Sequence, residues 1–129
     1  VIAVDTNVLV RLLTNDDQVQ ARRAVRIMQR SQIFIPKTVM LETEWVLRHA
    51  YGIDRKQIRR GFQNLMGLPN VKTEDSRSLA LAISWYGLGI DFADALHLAS
   101  SSEAKEFVTF DKSLAQKANK LKVATIILP

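Results

Sequence analysis

The sequence predicts an α/β protein built on a short parallel sheet of about four to five strands, with helices on both faces. Two observations predict it. Apolar runs too short for helices (Val1 to Val4, Ile33 to Ile35, Phe107 to Phe110 and Val123 to Ile127) recur along the chain. Between them lie longer amphipathic stretches, and strands alternating with such helices are the signature of parallel sheets covered on both faces. A third observation sets the scale: 129 residues, of which 47% are hydrophobic and 24% charged, suit one globular domain spanning 1–129.

Val1 to Val4 reads as a fully buried strand that stops at Asp5-Thr6-Asn7. Val8 to Leu13 has the spacing of a short helix. Asn15-Asp16-Asp17 offers cap chemistry for a second helix from Gln18 to Arg30. Ile33-Phe34-Ile35 is a strand closed by Pro36. Helices are expected at Thr38 to Tyr51 and Asp54 to Met66, and Gly67-Leu68-Pro69-Asn70 interrupts the pattern. Val71-Lys72-Thr73 is a small strand and Ser76 to Tyr86 a further helix. Asp91 follows the Gly87-Leu88-Gly89 loop and caps a helix running to Ser102. Phe107 to Phe110 is a strand, Lys112 to Asn119 a helix, and Val123 to Ile127 the last strand. Repeats and low-complexity segments are absent from this pattern.

Composition narrows the chemistry. The chain has no cysteine, so disulfides and thiolate metal sites are excluded. The longest charge-free stretch, Ser78 to Ile90, is well short of the ~20 residues of a membrane span, and the opening residues lack the pattern of a secretory leader. A cytoplasmic protein without a membrane partner is expected. The formal charge is +5, a balance that attracts polyanions, nucleic acid first. Residues 1 to 60 hold eleven basic and six acidic side chains, and residues 61 to 129 seven of each, so the excess sits in the first half.

In a parallel α/β fold, sites form beyond the carboxyl ends of the strands. Asp5 follows the first strand and Asp111 follows the Phe107 strand. Asp94 lies in the first turn of a helix entered from a glycine loop, and Glu42 one turn into the helix after the second strand. Parallel topology can bring these four to one edge of the sheet. Two unit charges at about 4 Å repel by roughly 4 kcal/mol at an effective dielectric of 20, so such a cluster calls for protons or a cation. Oxygen-only donors suit Mg2+ or Mn2+ rather than zinc. Plain structural roles compete: Asp5 can start a turn, Asp111 can cap a helix, and Asp91 and Asp94 have the spacing of a cap and its partner. Asp91 is read as mainly a cap and Asp94 as mainly functional. Glu42 and Glu44 point about 200° apart on a helix. Glu44 stands four residues before Arg48, the order of a solvated ion pair, which leaves Glu42 for the cleft.

The segments VIAVDTNVLVRLL, IPKTVMLETEWVL, DFADALHLAS and VTFDKSLA, in that order and spacing, resemble the PIN-domain ribonucleases, most closely the VapC-type toxins of toxin–antitoxin pairs. The resemblance covers nearly the whole chain and implies a PIN-like three-layer fold. It implies that Asp5, Glu42, Asp94 and Asp111 are the acidic residues that hold metal and catalyse, with Thr6, Asn7 and Thr109 in support. The implied activity is divalent-metal-dependent endoribonuclease hydrolysis of RNA phosphodiesters, with Mg2+, or Mn2+, as cofactor. The implied partners are a small antitoxin and a second copy of the chain in a homodimer. His49 and His97 are not needed for this chemistry.

Two basic groups are candidates for phosphate contact: the helical stripe of Arg22, Arg26 and Arg30, and the denser cluster Arg55, Lys56, Arg59 and Arg60. The cluster is the stronger RNA-binding candidate, the stripe an ordinary solvated face. Trp45, Trp85, Tyr86, Phe107 and Phe110 are read as core rather than as base-stacking platforms. The helix from Ser76 is apolar around much of its girth, which means deep burial or a subunit interface. Two other classes compete with the ribonuclease. A haloacid-dehalogenase-type phosphatase also begins with Asp after its first strand, but wants a second Asp where this chain has Asn7. A non-catalytic nucleic-acid-binding module would use the carboxylates only as caps.

Overall fold

The computed structural model describes residues 1–129. Seven helices and five short strands alternate along the chain. Strand β1 (Ile2–Ala3) leads into α1 (Thr6–Thr14) and α2 (Gln18–Arg30); β2 (Ile33–Ile35) is followed by α3 (Lys37–His49) and α4 (Arg55–Met66), then β3 (Val71–Thr73). After α5 (Ser76–Gly87) and α6 (Phe92–Ala99) come β4 (Phe107–Val108), α7 (Lys112–Lys120) and β5 (Ile126–Ile127). Every strand pairing is parallel, as expected when each connection carries a helix. Hydrogen bonding divides the strands into a three-stranded group, β1-β2-β3, and a two-stranded group, β4-β5.

The chain packs as two compact units, Val1–Ser76 and Arg77–Pro129. In the first, β2 is the central strand, and Ile33 and Ile35 are fully buried. Ile2 pairs with Ile33 and Ile33 with Val71. The expected burial of β1 does not hold: Ile2 is 42% exposed and only Val4 is buried. The reason is position, since β1 has a strand neighbour on one side only. Helix α4 shows how the helices attach. Its buried residues Ile58, Phe62 and Leu65 repeat at i, i+4 and i+7, and full burial of such side chains stabilises by about 1.5–3 kcal/mol each.

Caps set the helix limits. Asp17 accepts from the Gln20 amide and starts α2, while Asn15, at φ 55°, ends α1 in the left-handed region. Asp54 caps α4 through the Gln57 amide. Helix α3 begins at Pro36, which has no side-chain cap. Its first amide, on Lys37, donates instead to Glu74 Oε1 at 2.9 Å, beyond the end of β3.

In the second unit, α5 buries Leu79, Ala82, Ile83 and Tyr86, and Tyr86 meets Phe92 edge-on at 5.3 Å. Much of the apolar girth of this helix is thus used within its own unit, although Leu81 remains 41% exposed. Strand β4 stops at Val108, two residues earlier than the apolar run suggests. No helix is long and apolar enough to cross a membrane.

Candidate active site

In the first unit, Asp5 ends the β1 segment and caps α1. Its Oδ1 accepts from the Thr6 amide at 2.7 Å. The Thr6 hydroxyl donates to Glu42 Oε1 at 2.5 Å, joining two acidic residues 37 positions apart in sequence. Thr6 is buried, and both carboxylates reach solvent. A buried hydroxyl is therefore placed to fix the orientation of Glu42. Asn7, exposed on the same turn, lines a cleft of about 450 Å³ with Arg11, Gln20 and Arg23.

The two glutamates of α3 separate as their 200° spacing requires. Glu42 is exposed and Glu44 is buried. Glu44 does pair with Arg48, at 2.7 Å, but its side chain is only 3% exposed. The expected solvated ion pair is thus a largely buried one. Its surroundings explain this: the buried face of α3 is Met40, Thr43, Glu44 and Leu47, so the helix is turned to bring Glu44 inward. Trp45 then faces outward, 57% exposed, with its ring 4.8 Å from that of His49.

In the second unit, the acidic residues act on one another. Asp94, half-buried in the first turn of α6, has its pKa raised above the ordinary aspartate value, first by burial and then by the charges of Asp91 and Asp111. His97 and Lys117 pull in the opposite direction. Asp91 occupies the N-cap position of α6, as expected, but makes no side-chain capping bond there. Its charge acts on Asp94 instead. Asp111 does cap α7, accepting from the Leu114 amide at 3.0 Å. The Asp111 amide donates to Thr109 Oγ1 at 3.0 Å, so Thr109 shapes the turn carrying the acid.

Phe110 lies in that turn and is 85% exposed. It was expected in the core, as was Trp45; both project outward because Phe110 lies beyond the end of β4 and Trp45 off the buried face of α3. Trp85 and Phe107 are half-buried and Tyr86 is buried, nearer to expectation. Sequence reasoning also missed Glu74, which steadies the start of the helix bearing Glu42 from 37 residues away. No local signal announces such a bond.

The basic cluster on α4 is split by helix geometry. Lys56 and Arg60 are exposed, whereas Arg55 and Arg59 are half-buried, and Arg59 Nε is buried without a hydrogen-bond partner. Arg22, Arg26 and Arg30 are all exposed on α2.

Asp5 and Glu42 share Thr6 as a hydrogen-bond donor in one unit, and Asp94 is electrostatically coupled to Asp91 and Asp111 in the other. No three His, Asp or Glu side chains are gathered closely enough to hold a metal ion as they stand. The donors nevertheless fit a hard cation. They are oxygens throughout, and burial, with the charges of Asp91 and Asp111 added to it, raises the pKa of Asp94.

A family model, PIN domain, matches residues 2–120. The chain belongs to the PIN-domain family. PIN domains are typically metal-dependent nucleases and generally use divalent metal ions. The match includes Asp5, Glu42, Asp94 and Asp111, and with them every acidic position discussed above. No curated protein and no solved structure matches the chain. Membership in the PIN-domain family places the chain in a nuclease superfamily, usually metal-dependent.

Proposed function

We propose that this PIN domain is a divalent-metal-dependent endoribonuclease, the toxin of a toxin–antitoxin pair, with Asp5, Glu42, Asp94 and Asp111 as its metal-holding and catalytic residues. The observation that carries the reading is the Thr6 bridge. A buried hydroxyl spends its proton on Glu42 while its own amide donates to Asp5, an arrangement that holds two acidic groups together although like charges repel.

Hydrolysis adds water across a phosphorus–oxygen bond, so one proton leaves the attacking water and one reaches the departing oxygen. Asp94, in the first turn of α6 beside Asp91 and Asp111, is the residue we assign to accept the first. Thr6 orients Glu42, and Thr109 fixes the turn that presents Asp111. A divalent ion held by these carboxylates, Mg2+ or Mn2+, would supply charge neutralisation at the phosphate and activation of the water. Asn7 and Asp91 support the carboxylates. Within the α4 cluster of Arg55, Lys56, Arg59 and Arg60, the exposed Lys56 and Arg60 are the better placed to meet RNA phosphates. The small antitoxin, the homodimer and a cytoplasmic setting belong to the same proposal. Leu81, exposed on α5, is a candidate for the subunit contact.

The test is cleavage of unstructured RNA by purified protein. Wild type should cut internally with Mg2+ and not in the presence of a chelator. Asp5→Asn and Asp94→Asn should lose cleavage by on the order of a hundredfold or more while keeping the fold. Cleavage indifferent to the chelator, or both variants cutting at the wild-type rate, would overturn the assignment. The toxin role is checked by growth arrest on expression of wild type but not of Asp94→Asn, with relief by the product of a short neighbouring reading frame.

A further inference from the structure

Phe110 is the most exposed aromatic residue, at 85%. Its backbone is held on both sides. The Thr109 amide donates to the Ile127 carbonyl at 3.0 Å, the Asp111 amide donates to Thr109 Oγ1, and Asp111 Oδ1 accepts from the Leu114 amide. The ring is therefore carried on a fixed turn, between a threonine and an aspartate, rather than on a loose end. A single exposed apolar side chain is ordinary. One held on a rigid turn directly beside a candidate catalytic acid is placed for use.

We infer that Phe110 stacks against an unpaired nucleobase of the RNA substrate. The inference rests on the nuclease reading and deepens it, since it adds a base contact to a site whose carboxylates would act at the phosphate. Stacking needs one accessible aromatic face with polar surroundings, where an adjacent phosphate can remain solvated. Phe110 has Thr109, Asp111 and the exposed Lys112 as its neighbours toward α7. Bases in a duplex are already stacked and offer no face, whereas unpaired bases lie readily on aromatic rings. The interior of a protein-docking patch is depleted of charge by comparison. On the strand side, Val108 and Ile127 are exposed at 62% and 37%, so a protein contact is the outcome the experiment must separate.

The experiment measures binding of fluorescent RNA oligonucleotides, single-stranded and duplex, with divalent ions chelated so that nothing is cut. Phe110→Ala should weaken single-strand binding by about 5- to 150-fold, the range that loss of one base–aromatic stack produces. Phe110→Leu should weaken it similarly, because it retains apolar area but no ring, whereas Phe110→Trp should stay within about threefold of wild type. Duplex binding and the salt dependence of single-strand binding should not change, since no phosphate contact is lost. Quenching of 2-aminopurine placed in the oligonucleotide should fall in Phe110→Ala and persist in Phe110→Trp. Binding by Phe110→Leu or Phe110→Ala equal to wild type overturns the inference and leaves the nuclease reading intact. A fall in sedimentation coefficient for Phe110→Ala, with RNA binding unchanged, makes the residue an interface contact instead. Wild type with no affinity for RNA, either with ions chelated or with Ca2+ in place of Mg2+, overturns both readings.

Discussion

Asp5 and Glu42 each receive a hydrogen bond from Thr6, one from its amide and one from its hydroxyl. Asp94 is treated differently. It is half-buried, which raises its pKa, beside Asp91 and Asp111, whose charges raise it further, while His97 and Lys117 act in the opposite direction. The first pair is oriented by donors that the protein itself supplies. In the second set, burial first and neighbouring charge second raise the pKa of Asp94. Orientation of Glu42 by Thr6 and electrostatic coupling at Asp94 thus lie in separate parts of the chain, and substitutions should separate them.

The largest expected effect contrasts the two glutamates of α3. Glu42→Gln should reduce RNA cleavage by on the order of a hundredfold or more with little change in melting temperature. Glu44→Gln should do the reverse. Glu44 is buried against Arg48, and a hydrogen bond to a charged group contributes about 1.5–3 kcal/mol. Arg48 retains 31% exposure of its side chain, which keeps the cost below the 3–5 kcal/mol or so of breaking a fully buried pair. Cleavage per folded molecule should remain close to wild type. If Glu44→Gln loses cleavage while keeping its stability, the roles of the two residues are exchanged.

A smaller effect tests whether Thr6 orients Glu42. Thr6→Val preserves shape but removes the hydroxyl, at a cost of about 1 kcal/mol in stability. Loss of an orienting partner should lower cleavage by roughly 10- to 100-fold. Thr6→Ser should restore most of it, which a purely packing role for the methyl group would not allow. Failure of serine to rescue would make the bridge incidental.

Asp111 combines both kinds of role and can be dissected by the choice of replacement. Asparagine is as good a helix cap as aspartate, whereas alanine costs about 1 kcal/mol. Asp111→Asn should therefore keep the melting temperature and lose cleavage. Asp111→Ala should lose both. Equal cleavage by wild type and Asp111→Asn would reduce this residue to the cap of α7.

The same comparison explains what could be read from residue order. Helix α2 runs from Gln18 to Arg30 as Asp17 and the residues after it indicate, and β2 and β3 have the expected limits, because caps and short apolar runs are local signals. The phase of α3 was not legible. Val39, Met40, Leu41, Trp45, Val46 and Leu47 spread apolar surface around the helix, so spacing identifies the Glu44–Arg48 partnership without saying which side is buried. The tertiary answer places Glu44 inside and Trp45 outside, opposite to their ordinary preferences. The Thr6–Glu42 and Glu74–Lys37 bonds span 36 and 37 residues, and nothing at either end specifies the other. Asp5 and Asp111 stood out as candidates because strand ends are where α/β folds place their chemistry. Their hydrogen-bond partners depended on packing.

The smallest expected effect concerns the stability of the Asp94 set in the absence of divalent ions. Its raised folded-state pKa means that the folded protein holds the Asp94 proton more tightly than the unfolded chain does. The resulting stabilisation is full below the ordinary aspartate pKa and is lost as pH rises through the raised value. At neutral pH, ionised Asp94 therefore opposes folding, and Asp94→Asn should melt higher than wild type. The advantage should shrink as pH falls through the aspartate range and disappear once both proteins are uncharged at this position. Because Asp94 is only partly buried, solvent screens the repulsion and the shift should be small. A divalent ion should raise the melting temperature of wild type more than that of Asp94→Asn, since it relieves charge that only wild type carries. An Asp94→Asn protein that melts lower than wild type at neutral pH without metal would show that hydrogen bonding at this position outweighs repulsion from Asp91 and Asp111. The contrast with the Thr6-held pair would then fail.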